Sequence, residues 1–157
     1  MRAMQFMTAA EVVHELELTP HPEGGFYRET HRSILDGDGH HGTSNRVAST
    51  VIYFLIARDQ NNRWHKVDAD EIWFWHAGAD LELSIVDPST DVQTVLRIGT
   101  SGENHAAPHG VVPPQWWQSA RTLGEWTLVS CVVTPGFEWS KFVLAPTGWS
   151  PSSIKLK

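Results

Sequence analysis

The spacing of hydrophobic and polar positions divides the chain into a short helical start and a long β-rich remainder. The four residues from Thr8 to Glu11 have the spacing of a capping box, and apolar residues then recur at roughly helical intervals up to Leu18. From Arg46 onward, Asp, Asn, Gly or Pro residues separate short apolar runs, which predict strands at 47–56, 70–77, 81–86, 92–99, 125–133 and 140–145. The pattern predicts an all-β sandwich or barrel preceded by a short N-terminal helix.

The length of 157 residues suits one domain, and the patterns divide it into segments. We expect an N-terminal helical segment over 1–20, an edge strand and loop over 21–45, a barrel over 46–145 and a tail over 146–157. Within the second segment, two adjacent glycines permit a sharp turn before a strand-like run. Residues 33–45 are rich in Gly, Asp, His and Ser, and we expect a mobile surface loop there.

Alternation along the run at 70–77 assigns its side chains to two faces of the predicted sheet. Glu71, Trp73 and Trp75 share one face, and the residues between them share the other. A buried carboxylate needs a polar partner or a cavity, so the face with Glu71 must provide one. His65 and Gln118 are candidate partners, because an imidazole and an amide can each hydrogen-bond to a carboxylate. The sequence therefore predicts a polar group of His65, Glu71 and Gln118 inside the fold.

Composition narrows the classes of partner. The formal net charge is −6, and the scattered Lys and Arg residues form no basic face, so we do not expect nucleic acid as a partner. No segment approaches the roughly 20 apolar residues of a membrane span, and we expect a soluble, cytoplasmic protein without a membrane partner. Eight tryptophans, several of them beside polar residues, favour an aromatic-lined cavity for a small-molecule ligand.

Four blocks of sequence resemble a known family. The spacing of His65, Glu71 and Gly78 is similar to the first motif of the cupins, and the blocks HPEGGFYRET, WHKVDADEIWFWHAG, VPPQWWQ and TPGFEWSKF together resemble the cupin subfamily called DUF985 or Cupin_5. The resemblance extends from about Leu18 to Ala145. It implies a double-stranded β-helix, the jelly-roll barrel of cupins, and a homodimer of single-domain barrels with a pocket in each chain. It implies no particular reaction.

The chain departs from the pattern of metal-binding cupins at two ligand positions. That pattern has two histidines as HxH, a glutamate and a later histidine. Here His65 and Glu71 match, but Val67 replaces the second histidine and Gln118 replaces the last one. First-row metals generally need more good ligands than these. No cofactor is firmly predicted, and we expect a metal to be dispensable; if a divalent metal binds, the resemblance implies His65, Glu71 and Gln118 as its ligands.

The first of three candidate functions is a metal-independent enzyme. By analogy with the sugar-nucleotide epimerases of the cupin superfamily, it would act as an isomerase or epimerase on a sugar-like or small polar substrate. His65 or Glu71 would serve as general base, and Tyr53, on the preceding predicted strand, would serve as acid across the pocket. The structural alternative for His65 is a histidine hydrogen-bonded to a carboxylate, and for Glu71 a satisfied core acid.

The other two candidates are a binding module and a metal-dependent enzyme. In the binding module, Trp73 and Trp116 would share the interior with Glu71 and Gln118 and contact a small ligand without chemistry. Trp117 would face the opposite way. In the metal-dependent alternative, of dioxygenase or isomerase type, the ion would activate the substrate.

The blocks at the two ends of the barrel add three candidate ligand-binding residues. The resemblance makes a contribution to the pocket plausible for His21 and Arg28, although the segment can also serve only to cover a sheet edge. Glu138 is an acid in an apolar run, so it needs a partner, and Arg28 or Arg46 can supply one without any catalytic meaning.

Overall fold

Two six-stranded β-sheets face each other in the computed structural model, which describes residues 4–35, 46–60, 62–100, 102, 105–151 and the backbone of 155–156. Within these residues an α-helix, α1, spans Ala9–Glu15, and 3₁₀ turns lie at Met4–Phe6 and Trp139–Lys141. The strands are β1 Thr19–Pro20, β2 Phe26–Arg32, β3 Thr50–Ala57, β4 His65–Lys66, β5 Asp70–Gly78, β6 Leu81–Asp87, β7 Val92–Ile98, β8 His109–Val112, β9 Trp117–Thr122, β10 Trp126–Thr134, β11 Val143–Leu144 and β12 Lys155–Leu156.

The two sheets enclose one barrel core. The first sheet has the order β1-β2-β3-β10-β5-β8, and the second has the order β11-β4-β9-β6-β7-β12. Long neighbours such as β3 and β10 pair antiparallel, whereas β7 and β12 pair parallel. Apolar side chains from both sheets meet between them, including Phe54, Trp73, Leu83 and Val129. The predicted all-β jelly-roll barrel with a short N-terminal helix is confirmed.

The predicted strands match the structure except near the C-terminal end of the barrel. The first five predicted runs correspond to β3, β5, β6, β7 and β10. The run at 140–145 is instead part of a 3₁₀ turn followed by the two-residue β11, so the prediction of one continuous strand there is wrong. The strands β8 and β9 contain few consecutive apolar residues, and the apolar pattern therefore does not identify them. Residues 36–45, which make up most of the predicted mobile loop, lie outside the described residues.

The helix α1 covers the outer face of the first sheet. Thr8 Oγ1 accepts a hydrogen bond from the Glu11 N–H at 3.3 Å, and the Thr8 N–H donates to the Glu11 carboxylate at 2.6 Å, which confirms the predicted capping box. Val12 is completely buried and packs with Leu55 of β3 and Leu128 of β10. As a result, β3 carries apolar side chains on both faces. No helix in the described part of the chain is long and apolar enough to cross a membrane.

A β-bulge at His76 reverses the facing of the last part of β5. The neighbours Val129 and Leu128 of β10 pair with Trp75 and Ala77, so His76 between them is an extra residue. Trp75 still packs against the barrel core, as the alternation predicts, whereas Ala77 packs toward α1. The bulge therefore marks the end of the part of β5 that faces the barrel interior.

A tight turn between β1 and β2 brings polar side chains into the barrel. The His21 N–H donates to the Gly25 carbonyl oxygen and the Gly24 N–H donates to the His21 carbonyl oxygen, both at 3.0 Å. Gly25 has φ of +81°, and a Cβ atom there would lie 2.8 Å from the Leu55 carbonyl oxygen, so only glycine fits. The close approach to β3 lets the side chain of Glu23 enter the interior, where it is 5% exposed.

Candidate functional site

A cavity of about 120 Å³ lies between the two sheets, beside the turn that joins β1 and β2. Its polar lining includes His21, Glu23, Tyr27, Glu29, His65 and Glu71. Apolar walls come from strands of both sheets and include Ile52, Phe54, Val67 and Val133. Pockets for drug-sized ligands are larger, at roughly 300–1,000 Å³. The cavity therefore suits a small molecule.

Glu71 on β5 is tied to the opposite sheet through the amide of Gln118 on β9. Gln118 Nε2 donates to Glu71 Oε2 at 2.6 Å, and Gln118 Oε1 accepts from Trp73 Nε1 at 3.0 Å. The indole N–H can only donate, so it fixes the orientation of the amide and directs the amide N–H to the carboxylate. Glu71 lines the cavity, while Trp73 and Gln118 are fully buried and lie behind it.

Glu23 is at the centre of the site, and the sequence analysis did not select it. Its Oε1 accepts a hydrogen bond from Asn62 Nδ2 at 2.8 Å, and its Oε2 lies 3.3 Å from His65 Nε2 and 3.5 Å from His21 Nδ1. Asn62 Oδ1 in turn accepts from the Ala120 N–H at 2.8 Å, which anchors the carboxyl group to β9. The signal for Glu23 in the sequence is its place in the block HPEGGFYRET, directly before two glycines.

The hydrogen bonds of His65 define its tautomer. His65 Nδ1 lies 2.8 Å from the carbonyl oxygen of Arg63. A carbonyl oxygen can only accept, so Nδ1 carries the proton of the neutral ring and Nε2 presents a lone pair to Glu23. The backbone of His65 pairs with Gln118, which places the imidazole beside the strand that supports Glu71.

The two buried carboxyl groups differ in their tendency to ionise. Burial raises the pKa of Glu71 from 4.5 to about 7, although hydrogen bonds from Gln118 and Cys131 act to lower it. Burial and then the charge of Glu71 raise the pKa of Glu23 well above its usual value, against a hydrogen bond from Asn62. Glu71 is therefore partly ionised at neutral pH, and its charge makes Glu23 hold its proton more strongly.

The two histidines of the cavity are neutral at the same pH. Burial lowers the pKa of His21 to about 4. Burial also lowers the pKa of His65 to about 4, with a smaller contribution from His21 and an opposing hydrogen bond to the Arg63 carbonyl. The contact between Glu23 and His65 is therefore a hydrogen bond from a carboxylic acid to an imidazole.

Aromatic rings surround the opening of the cavity. Trp139 is 52% exposed and stacks on His21 with ring centroids 5.6 Å apart. Phe142 and Phe137 meet Trp139 edge-on, at 5.6 Å and 4.9 Å between centroids, and Tyr27 meets His21 edge-on at 4.6 Å. We call Tyr27, Phe137, Trp139 and Phe142 the aromatic mouth. Three of these residues, Phe137, Trp139 and Phe142, belong to the block TPGFEWSKF, but the apolar pattern of that block did not predict that they line the site.

Two predicted site residues lie on the wrong face of the first sheet. Tyr53 packs toward α1 and meets His76 edge-on, so the expectation that it faces His65 across the pocket is wrong. Arg28 lies over the Tyr53 ring and pairs with Glu17 at 3.1 Å, so it is also outside the cavity. Both positions follow from alternation, because their neighbours on β2 and β3 line the cavity.

Two further predicted residues do not line the cavity. Trp116 packs against the barrel core and does not line the cavity. Glu138 precedes a 3₁₀ turn and does not belong to a strand. Its charge helps to raise the pKa of Arg32, after the larger contributions of Glu29. The predicted partners of Glu138 are engaged elsewhere, since Arg28 pairs with Glu17 and Arg46 with Asp68.

The side chains of the cavity do not fit a metal ion. Both ends of the Gln118 amide are engaged, and His65 Nε2 faces Glu23. Val67 contributes only an apolar surface at the place where the resemblance implies a histidine in metal-binding cupins. Among the described residues, no group of three or more His, Cys, Asp or Glu side chains is arranged to hold a metal.

Comparisons with known proteins place these features in a family. The sequence profile of Cupin_5, described as Cupin superfamily (DUF985), matches residues 10–145. The chain is 26% identical over 144 residues to the uncharacterized protein YML079W of Saccharomyces cerevisiae, covering 82% of this chain and 71% of the yeast protein.

Solved structures share the fold. Protein SO0799 from Shewanella oneidensis is similar with a TM-score of 0.81 and 30% identity, over 89% of this chain and 85% of that chain. A hypothetical protein from Leishmania major has a TM-score of 0.74 and 30% identity, over 87% and 86%. Oxalate decarboxylase from Bacillus subtilis shares the fold at 13% identity and a TM-score of 0.58, over 80% of this chain and 29% of that chain. The chain therefore belongs to the Cupin_5 (DUF985) family of the cupin superfamily.

Proposed function

We propose that the protein is a metal-independent enzyme that catalyses acid–base chemistry of the isomerase or epimerase type on a small polar or sugar-like molecule. The observation that carries this proposal is the pair of buried carboxyl groups, Glu71 and Glu23, which line one cavity and differ in protonation. Two titratable groups whose surroundings push their pKa values apart supply a base and an acid at the same pH.

Glu71 is the proposed general base. Its pKa of about 7 is close to the working pH of most proteins, and a base is most effective when its pKa lies there. Gln118 and Cys131 both hydrogen-bond to its carboxyl group, and Glu71 lines the cavity. The sequence left His65 and Glu71 open as the base, and the raised pKa favours Glu71.

Glu23 replaces Tyr53 as the proposed acid. In the first step, Glu71 takes a proton from a carbon next to a carbonyl group, and the electron pair of that C–H bond forms a C=C bond. The carbonyl oxygen takes the proton of Glu23, which gives an enol. For an isomer, protonated Glu71 gives its proton to the former carbonyl carbon of an enediol, and the carboxylate of Glu23 takes the proton of the neighbouring hydroxyl group as the new C=O bond forms. For an epimer, a water molecule gives a proton to the opposite face of the original carbon, Glu23 takes back the enol proton as the C=O bond re-forms, and Glu71 gives its proton to the resulting hydroxide. His65 is a positioning residue, because its Nε2 accepts from Glu23 and its Nδ1–H is fixed by Arg63.

A non-catalytic binding module is the second candidate. The aromatic mouth favours it, because wide aromatic surfaces bind apolar and sugar-like ligands without any chemistry. In this alternative, Glu23 and Glu71 only orient the ligand through hydrogen bonds. The two candidates differ in one measurable property, which is the exchange of a substrate proton with solvent.

Proton exchange tests the proposal without knowledge of the product. We would incubate the protein in D₂O with a panel of small aldoses, ketoses, hydroxy ketones and amino ketones, and follow each C–H signal by proton NMR. We expect deuterium to replace a proton next to the carbonyl group of at least one compound. Glu71→Gln should reduce this rate by roughly 10²- to 10⁴-fold, the usual contribution of a general base.

Glu125→Gln is the matched control, because Glu125 is an exposed carboxylate that pairs with Arg58 and does not line the cavity. This variant should exchange protons as fast as the wild type. Exchange that survives Glu71→Gln unchanged would contradict the assignment of the base. Binding of panel compounds without any exchange would contradict the enzyme and support the binding module.

A further inference from the structure

Apart from its histidines, the acidic and basic side chains that line the cavity are all carboxylic acids. Three carboxyl groups line it, those of Glu23, Glu29 and Glu71, and among the described residues no Lys or Arg side chain does so. Arg32 is held by both oxygens of Glu29, at 3.0 Å and 2.8 Å, so this arginine already has its counter-charge. An anionic ligand would therefore lie beside the partly ionised Glu71 with no cationic side chain in the lining to compensate it, which costs free energy.

We propose that the ligand of this cavity is a small cation, an organic ammonium compound whose charged group sits in the aromatic mouth and whose other end reaches Glu23 and Glu71. The proposal rests on the same site as the proposed function and names its substrate class. It excludes phosphorylated and carboxylate compounds as ligands.

The aromatic mouth supplies the second, independent observation. The rings of Trp139, Phe142, Tyr27 and the neutral His21 line the cavity. Trp139 stacks on His21, and the other contacts between these rings are edge-to-face, with centroids 4.6–5.9 Å apart. Aromatic faces carry partial negative charge and attract cations, most strongly quaternary ammonium groups in aromatic cages. A partly exposed tryptophan at this position provides such a face together with an apolar surface for the methyl groups of the ligand.

A bound cation also changes the base. The groups around Glu71 are neutral or negative, namely Glu23, His21, His65, Cys131 and Gln118. An opposite charge nearby favours the ionised form of a carboxyl group. Cation binding therefore lowers the pKa of Glu71 and releases a proton near neutral pH. Affinity should rise with pH up to about the pKa of the free site and then level off, because less proton release is needed.

Three probes of similar shape test how the charge of the ligand affects binding. Choline and 3,3-dimethylbutan-1-ol differ only in the charge of the head group, whereas 3,3-dimethylbutanoate keeps the neutral head group and carries a negative charge at the end that would reach Glu23 and Glu71. We would measure their binding to the full chain by isothermal titration calorimetry, in two buffers of different ionisation enthalpy. We expect choline to bind at least about tenfold more tightly than the alcohol, a difference of about 1.4 kcal/mol, with proton release and no binding of the carboxylate.

Two variants and one control link the selectivity to the site. Trp139→Leu should reduce the preference for choline over the alcohol, and Glu71→Gln should abolish proton release. Glu125→Gln should change neither, since Glu125 is an exposed carboxylate outside the cavity lining. Equal binding of choline and the alcohol, tighter binding of the carboxylate, or no binding of any probe at millimolar concentration would overturn the proposal.

Failure of this inference and failure of the proposed function give different results. Selective choline binding without proton exchange in the substrate panel would retain the cation-selective pocket and contradict the enzyme. Exchange in neutral sugars, with no preference for choline over its isosteres, would retain the enzyme and contradict the cationic ligand.

Discussion

Two carboxyl groups of the same cavity are held in different states by their neighbours. Glu71 receives hydrogen bonds from Gln118 and Cys131, which partly offset the cost of burying its charge. Glu23 receives one from Asn62 and also experiences the charge of Glu71, so it keeps its proton to higher pH. Both groups are buried, so the difference arises from the charge of Glu71 acting on Glu23 and from the hydrogen-bond donors that each carboxyl group meets.

The raised pKa of Glu71 predicts a pH-dependent cost to stability. A carboxyl group whose pKa is higher in the folded state stabilises that state most below its unfolded pKa, and this contribution is lost as pH rises through the folded pKa. The change from 4.5 to about 7 corresponds to roughly 3 kcal/mol between pH 4 and pH 8. Glu71→Gln removes the titration, so the wild type should lose this much free energy of unfolding relative to the variant as pH rises.

Urea unfolding of both proteins across this pH range measures the difference. The comparison must be made between variants, because His21 and His65 have lowered pKa values and their contribution has the opposite sign, being lost as pH falls from 6.5 to about 4. Glu125→Gln is the control and should run parallel to the wild type. Parallel curves for Glu71→Gln as well would show that Glu71 titrates normally.

The turn from β5 to β6 depends on Gly78, the last residue of β5. Gly78 has φ of +85°, and a Cβ atom there would overlap the carbonyl oxygen and ring of Trp126. Gly148 has a similar φ of +77° but has nothing within 4 Å of the same position. The two positions therefore share the backbone cost of a left-handed residue and differ in steric overlap alone.

We predict that Gly78→Ala is more destabilising than Gly148→Ala. The left-handed conformation costs a residue with a Cβ atom roughly 1–2 kcal/mol, and overpacking adds roughly 1–3 kcal/mol at Gly78 only. Thermal or urea unfolding of the two variants gives the comparison. Equal losses would mean that the chain around Trp126 moves aside without cost.

The strands were predictable from the sequence to different extents, for physical reasons. Alternation gave the correct face for Glu71 and Trp73, because a carboxylate in an apolar run marks the side with polar company. It could not give the face of Tyr53, because α1 covers the outside of β3 and leaves apolar residues on both sides of that strand. Alternation also ends at the bulge of His76, which no residue pattern marks.

The site was predicted incompletely because it includes a turn. His65, Glu71 and Gln118 lie on strands that pair or face each other, so periodicity and spacing point to them. Glu23 enters the cavity only because Gly24 and Gly25 have positive φ and fold the turn against β3. The direction of such a turn depends on contacts with residues far away in the sequence, and a local pattern does not contain them.

The whole molecule has an uncovered apolar area on the outer face of the first sheet. Phe74 is 38% exposed on β5, and Val111 is 44% exposed on the neighbouring edge strand β8. Neighbouring exposed apolar residues are typical of surfaces that contact another protein. The cupin resemblance implies a homodimer of single-domain barrels, and this area is a suitable contact surface for it. The homodimer stays a prediction.

Light scattering coupled to size-exclusion chromatography tests the homodimer. We predict a mass of twice the 17.6 kDa of the chain, with partial dissociation in Phe74→Asp. Val95→Asp is the control, because Val95 is 49% exposed on β7 of the other sheet. A mass of one chain for the wild type would contradict the prediction, and equal dissociation in both variants would exclude this face as the interface.

The amide of Gln118 also limits how this protein can be redesigned. A protein engineer who wanted a metal here would begin with Gln118→His, the residue that the metal-binding pattern has at this position. That single change would leave the Trp73 N–H without its acceptor, at roughly 1–3 kcal/mol, and would take a hydrogen bond from Glu71. Installing a metal centre therefore requires Trp73, Gln118 and Val67 to be replaced together, and stepwise selection would meet unstable intermediates first.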